Sequence, residues 1–301
     1  LEKRERSTLK QYREHVRLHI NPRIGRERLA QLTTPRIHAF RDELLRNLSR
    51  PMAKKILVSL KAVIGDAMRR GDVAQNVAKS VSVVIAHRDR HKLEIGSDIP
   101  TRDEIRKLLD GAGKLRPLLL VAAFAGLRAS ELRGLRWVDI DFHRGEIAVR
   151  QRADRYKMIG APKSVAGSRI VPIGPIVVNA LREWRLGCPK GVSGLVFPTA
   201  AGEVLPHTTL HKAFGVVLGM ADMTTAGGKP KYGLHSLRHF YASWCVNRRI
   251  DGGLELPTRL VQERLGHASI QMTADTYGHL FPRDDDGAEL AAAERALLGA
   301  T

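Results

Sequence analysis

Cysteine is nearly absent: Cys188 and Cys245 are the only two in 301 residues. That is too few for a disulfide framework and the wrong spacing for a zinc site, so a reducing cytoplasm is the natural setting. Long apolar runs are missing too. Nothing approaches the roughly 18 consecutive residues that a membrane span requires, and no signal-peptide pattern opens the chain. Its first residue is leucine rather than methionine, which reads as a fragment or a trimmed chain with something upstream. The Walker phosphate loop is absent as well, since Gly227-Gly228-Lys229-Pro230 has the composition of a turn. The last deficit is in acid, with 31 Asp and Glu against 50 Lys and Arg for a formal charge of +19. Such an excess points to a polyanionic partner, of which nucleic acid is the commonest. It is concentrated at one end: residues 1–95 hold 22 basic and 10 acidic residues, net +12, and residues 96–301 carry the remaining +7.

A chain of this length, 43% hydrophobic, can bury two cores. Periodicity predicts three helices first. Ser7 caps one with Leu9, Tyr12, Val16 and Ile20 in register, ended by Asn21-Pro22. Thr34 caps a second with Ile37, Phe40, Leu44 and Leu48, and a third runs from Pro51 to Arg70, burying Ile56, Leu60, Val63, Ile64 and Ala67 before Gly71 closes it. Their polar faces carry Lys10, Arg13, Arg17, Lys54, Lys55, Lys61, Arg69 and Arg70. Any one of these is ordinarily a solvated side chain, but as a set they suit phosphate contacts, which position a protein on DNA without reading sequence. The pattern lapses between Ala86 and Pro100 into a charged linker, after which Thr101 and Glu104 form a capping box.

Further on, an apolar helix turns at Gly126 into a second helix with Arg128, Glu131, Leu132 and Leu135. Strand-like alternation at 146–150 and 168–173 brackets Lys163 in a hairpin or small sheet, and helical spacing returns at 175–185 and 208–220. The segment His235-Ser-Leu-Arg238-His239 places His235, Arg238 and His239 on one helical face, with Leu237, Phe240, Tyr241, Trp244 and Cys245 on the buried side. A following helix starts at Pro257 and stops at Gly266, which holds His267 at a helix end. Tyr277 falls in a short polar stretch with little reason to be core. Two histidines, an arginine and a tyrosine can handle a phosphodiester without metal: cations for the phosphoryl oxygens and a hydroxyl nucleophile. His235 and His239 also have a zinc-ligand spacing, but serine follows the first where a zincin has glutamate, so neither metal nor cofactor is expected.

The boxes Gly-Leu-Arg128-Ala-Ser-Glu131-Leu, Ala-Pro-Lys163-Ser, His235-x-x-Arg238, Leu-Gly-His267 and Tyr277 occur in that order within about 150 residues. In this they resemble the tyrosine recombinases, or phage integrase family. The resemblance implies a mainly α fold with a small β-sheet: a helical core-site DNA-binding domain at 1–88, a linker at 89–99, an α+β catalytic domain at 100–283 and a tail helix at 284–301 exchanged between protomers. It implies a catalytic set of Arg128, Lys163, His235, Arg238, His267 and Tyr277, with Glu131 supporting Arg128. The chemistry implied is strand cleavage and rejoining through a 3′-phosphotyrosyl link without ATP, with cations beside Tyr277 favouring its phenolate. Implied partners are double-stranded DNA attachment sites, further copies of the chain up to a synaptic tetramer, and accessory DNA-bending and directionality proteins. Integration or excision of a mobile element leads. Dimer resolution by the same chemistry, a type IB topoisomerase and a DNA-binding regulator without catalysis are the rivals.

Overall fold

The computed structural model describes residues 5–84 and 91–281, with 294, 295 and 297. The expected tail helix at 284–301 lies outside the described residues but for those three positions, as do residues 89 and 90 of the expected linker at 89–99. The chain divides into two compact units, residues 1–91 and 92–301.

The first unit is helical. Helix α1 (Arg6–His15) runs without a break into a π-helical turn at Val16–Ile20 and then α2 (Asn21–Ile24). Asn21-Pro22 therefore does not end the helix as expected. Proline suits the first turn of α2, and the wider π turn before it carries the chain across the position where proline has no N–H to give. Ser7 is not the cap either, since the helix begins one residue earlier after Glu5. Helix α3 (Thr34–Asn47) is capped by Thr33, whose hydroxyl accepts from the Arg36 amide at 3.4 Å, while Thr34 donates its hydroxyl to the Val77 carbonyl. The cap is thus one residue earlier than the sequence suggested. Helix α4 (Arg50–Arg70) ends at Gly71, which takes the left-handed conformation at φ 84°. Ile37, Phe40, Leu44, Ile56, Leu60 and Ile64 close the core, and His15 joins α1 to α4 through Ser59 Oγ at 2.7 Å.

In the second unit, α5 (Arg102–Asp110) opens with the Thr101–Glu104 capping box formed in both directions. Helix α6 (Arg116–Ala125) is apolar and almost wholly buried, and α7 (Ala129–Gly134) follows after a three-residue turn. A three-stranded antiparallel sheet comes next, in the order β1 (Ile140–Asp141), β2 (Glu146–Val149), β5 (Arg169–Pro172). Alternation sends Ile147, Val149 and Val171 inward, and Ile147 pairs with Val171. Between β2 and β5 the chain forms a short hairpin, β3 (Arg152–Ala153) with β4 (Ile159–Gly160). Helices α8 (Pro175–Gly187), α9 (His207–Met220), α10 (His235–Val246), α11 (Thr258–Leu265) and α12 (Ile270–Tyr277) complete the unit. The architecture is mostly helical with small sheets, as the fold class read from the sequence had it. No helix among the described residues is long and apolar enough to cross a membrane.

Two glycines let α6, α10, α11 and β5 close on one another. Gly126, the left-handed cap of α6, lies against the Tyr241 ring, and a Cβ there would come within 2.3 Å of Tyr241 Cδ1. Gly266, the left-handed cap of α11, faces the loop before β5, where a Cβ would lie 2.7 Å from the Ala166 carbonyl oxygen. Both positions require a positive φ and close backbone approach together, which only glycine supplies at no steric cost.

Candidate active site

Helix α10 enters the site mostly buried, with His235 exposed at its start and Arg238, which the sequence placed on the same face, turned inward. Arg238 is only 2% exposed. Its guanidinium donates to the Gly126 carbonyl at 2.6 Å and to the Leu265 carbonyl, so one cation ties the C-terminal ends of α6 and α11. Helix C-termini present unsatisfied carbonyls and the negative end of the dipole, which is why a buried arginine is tolerated there. Burial nevertheless lowers its pKa to about 9, with Arg128 and Arg169 adding repulsion.

Arg128 sits at the N-terminal boundary of α7 and is held by Glu131. Its Nη1 donates to Glu131 Oε1 at 2.8 Å, its backbone amide to Oε2 at 2.9 Å, and its Nη2 to the Gly266 carbonyl at 3.3 Å. The side chain keeps 35% of its surface open, so the guanidinium has a fixed plane and an accessible edge. Glu131 itself is buried. Burial alone would raise its pKa, but Arg169 and then Arg128 overcome this and hold it at about 2.

Arg169 is the residue the sequence reading passed over as a marker for the strand. It binds both oxygens of Glu131, Nη2 to Oε2 at 2.9 Å and Nη1 to Oε1 at 3.2 Å, and donates Nε to the Arg264 carbonyl at 2.7 Å. Its position two residues before Val171 on β5 puts it on the inward face, a signal that was present in the alternation.

His267 follows the Gly266 turn and is buried, with Nδ1 held 2.9 Å from the hydroxyl of Thr273, itself fully buried. Only Nε2 remains to address the site. Burial and the guanidiniums of Arg238, Arg128 and Arg169 push its pKa down to about 3. His235, at the start of α10, is open to solvent on one side. The protein packed on its other side, then His239, Arg238 and Arg128, lower its pKa to about 4. Both imidazoles are therefore neutral near pH 7.

Tyr277 is the largest departure. Far from lying in a polar exposed stretch, it is the last residue of α12 and 1% exposed, packed in the hydrophobic core with its ring parallel to His267 at 6.2 Å between centroids. The helix turns its final residue inward while Gln271, Asp275 and Thr276 take the solvent side. Its hydroxyl is bonded to His239 Nδ1 at 2.8 Å. Burial raises the phenol to about 12 despite the opposing influence of Arg238 and Arg128. The neighbouring cations do favour the phenolate, as expected, but desolvation of the anion outweighs them.

Lys163 lies exposed in the loop between β4 and β5. That loop continues into Ala166, whose carbonyl packs on the Gly266 turn beside His267. In the first unit Lys10, Arg13, Arg17, Lys54 and Lys55 are exposed; Lys61 is half-buried and donates to the Lys79 carbonyl at 3.1 Å, and Arg69 and Arg70 both pair with Asp66.

A phage integrase family model matches residues 100–283. A XerC-like tyrosine recombinase from Caldanaerobacter subterraneus subsp. tengcongensis is 27% identical over 95% of this chain and 77% of its own length. Tyrosine recombinase XerC of Xylella fastidiosa is 28% identical over 78% and 72%. Among solved structures, the Tn1549 transposon integrase in complex with transposon right end DNA superposes with a TM-score of 0.74 at 18% identity, covering 98% of this chain and 95% of that one. A lambda integrase dimer bound to a core site gives 0.61 at 20% identity over 90% and 91%. With the family model covering more than half its length, the chain belongs to the phage integrase family, the tyrosine recombinases, enzymes that cleave and rejoin DNA.

Proposed function

We propose that this chain is a site-specific recombinase that integrates or excises a mobile element, cutting DNA through a 3′-phosphotyrosyl intermediate formed by Tyr277. The observation that carries this reading is convergence. Arg128, Arg238 and Tyr277 span 149 positions of sequence, yet the two guanidiniums donate to the adjacent carbonyls of Gly266 and Leu265, and the next residue, His267, lies parallel to the buried Tyr277 ring. In the proposed reaction Tyr277 attacks the scissile phosphate in line. Arg128 and Arg238 hold the non-bridging oxygens with the N–H groups not spent on Glu131, Gly266, Gly126 and Leu265, and stabilise the charge that develops. His235 and the Nε2 of His267 donate hydrogen bonds, while Lys163 protonates the departing 5′ oxygen. The ester conserves the bond, so rejoining to a partner strand needs no ATP.

The exposed lysines and arginines of the first unit are proposed to grip the DNA backbone. A homo-oligomer, tetrameric at the synapse, would pair two sites, with DNA-bending and directionality proteins as candidate helpers. The transposon integrase likeness over 98% of the chain favours the mobile-element role. The XerC relatives, matched over most of their own lengths, support dimer resolution as the second reading.

Nicked suicide duplexes built from the sequences flanking the gene provide the test. Wild-type protein is expected to become covalently trapped on denaturing gels and Tyr277→Phe to bind without being trapped. Trapping of Tyr277→Phe would reject the nucleophile. Arg128→Ala is expected to slow trapping by about 100- to 1000-fold, the usual cost of losing one oxyanion donor. Recombination between two flanking repeats, rather than between copies of a chromosomal site, separates the first reading from the second.

A further inference from the structure

Tyr277 is held by a residue outside the set that the sequence assigned to chemistry. His239 stands one turn after His235 on α10, half-buried, with the two rings edge to face at 4.8 Å between centroids. Its Nδ1 is 2.8 Å from the Tyr277 hydroxyl. The phenol is 1% exposed, so water has little access to its proton, and burial keeps that proton on at neutral pH. An attacking tyrosine must nevertheless lose it as the bond to phosphorus forms. A buried hydroxyl with an imidazole nitrogen in hydrogen-bond reach has the arrangement of a nucleophile and its general base.

We propose that His239 is a catalytic residue of this chain: its Nδ1 accepts the phenolic proton as Tyr277 attacks, and returns it when the tyrosine departs. This rests on the reading of Tyr277 as nucleophile. In the forward step the Tyr277 Oη–phosphorus bond forms, the Oη proton moves to His239 Nδ1, and the phosphorus–O5′ bond breaks with its electron pair on O5′, which is protonated separately. In the reverse step the 5′-hydroxyl attacks, and the tyrosine oxygen recovers its proton from the imidazolium.

The groups around His239 suit this role. Burial, followed by the Arg238 cation on the same helix, lowers its pKa and keeps it neutral and able to accept. Asp98, from the segment before α5, acts in the opposite direction and favours the imidazolium once it forms. His235 and Tyr277 are its other close ring neighbours.

Two measurements test the assignment. In DNA-free protein with ¹⁵N-labelled histidine, His239 is expected at pH 7 as the neutral Nε2–H tautomer with a hydrogen-bonded Nδ1, and that Nδ1 signal should shift in Tyr277→Phe. A protonated ring, or a proton on Nδ1, overturns the proposal whatever the DNA target.

The second measurement uses the nicked flanking-sequence duplexes, prepared with oxygen or with sulfur at the bridging 5′ position. His239→Asn keeps a hydrogen-bonding side chain that cannot take up a proton at neutral pH. It is expected to bind DNA normally but form the covalent adduct about 100-fold more slowly or worse. The sulfur leaving group needs no proton, so it should restore Lys163→Ala and leave His239→Asn slow. In wild type the adduct rate should rise with pH and level off below neutrality, whereas in His239→Asn it should keep rising toward the phenol's own range. An adduct rate within about threefold of wild type, a faster one, or rescue by sulfur would reject the proton-acceptor role. Absence of any wild-type adduct, or an adduct with Tyr277→Phe, would instead strike the nucleophile reading itself.

Discussion

The candidate active site and the first unit use positive charge in opposite ways. At the site two arginines are committed: Arg238 is 2% exposed and bound to two carbonyls, and the Arg169 side chain, 5% exposed, chelates Glu131. In residues 1–91, Lys10, Arg13, Arg17, Lys54 and Lys55 stand in solvent. A guanidinium taken out of water must be fully partnered or it destabilises the fold, so each buried arginine has one position and one plane. A lysine left in water costs nothing to hold and has no defined pose. Aligning a phosphorus for in-line attack demands the first kind of charge, and gripping a backbone of repeating phosphates needs only the second.

The sharpest way to break that contrast is to remove Glu131. Glu131→Ala leaves Arg169 buried without its carboxylate and frees the plane of Arg128. The expected loss is about 3–5 kcal/mol, the range for breaking a buried ion pair on one side. Arg169→Met in the same background should recover part of it, because the stranded charge is then gone. Denaturant unfolding of the full chain measures both, and a loss below about 1 kcal/mol would mean the network does not organise the site. Removing Arg13 from the other unit should change stability by no more than about 0.5 kcal/mol.

The same difference should appear in pH. Folding lowers the pKa of His235 from 6.5 to about 4, of His267 from 6.5 to about 3, and of Glu131 from 4.5 to about 2. All three shifts are downward, so each group's contribution is complete above its unfolded pKa and is lost as pH falls toward the folded one. For the histidines that window runs from 6.5 down to about 3–4, and the carboxylate follows at lower pH. All three tryptophans, Trp137, Trp184 and Trp244, lie in the second unit, so their fluorescence reports its unfolding. The midpoint should fall steadily below pH 6.5, and His267→Gln should flatten that fall. An unchanged slope would show that His267 does not titrate against its arginine neighbours.

What the sequence made legible was period and punctuation. Helices α4, α6 and α11 end at Gly71, Gly126 and Gly266, each with positive φ, and the Thr101–Glu104 box formed as read. Local pattern says less about what a long side chain reaches across the fold. Helical spacing placed Arg238 on the face opposite the buried apolar residues, and the carbonyls that bury it come from residues 112 positions before it and 27 after. Tyr277 looked like a surface residue because its neighbours in sequence are polar, while the partners that bury it are His239 and His267 from other elements. Arg169 and His239 were both visible in the chain. Their roles depend on pairs that no window of sequence contains.

The smallest expected effect separates charges within the basic face itself. Asp66 binds Arg69 at 2.7 Å and Arg70 at 3.1 Å, while Lys10, Arg13 and Arg17 recur along one continuous helical run from α1 into its π turn. If phosphates replace solvent around the second group, each lost contact should reduce the slope of log affinity against log salt by about 0.9, or about 2.7 for the triple alanine variant. Arg69 and Arg70 already share a carboxylate, and DNA would have to compete with it for them, so the Arg69→Ala, Arg70→Ala pair should move the slope less per residue. Asp66→Asn releases both arginines and should steepen it slightly. Equal reductions per residue in the triple and the pair would mean that intramolecular pairing does not decide which cations reach the backbone, and the face would then act through its net charge alone.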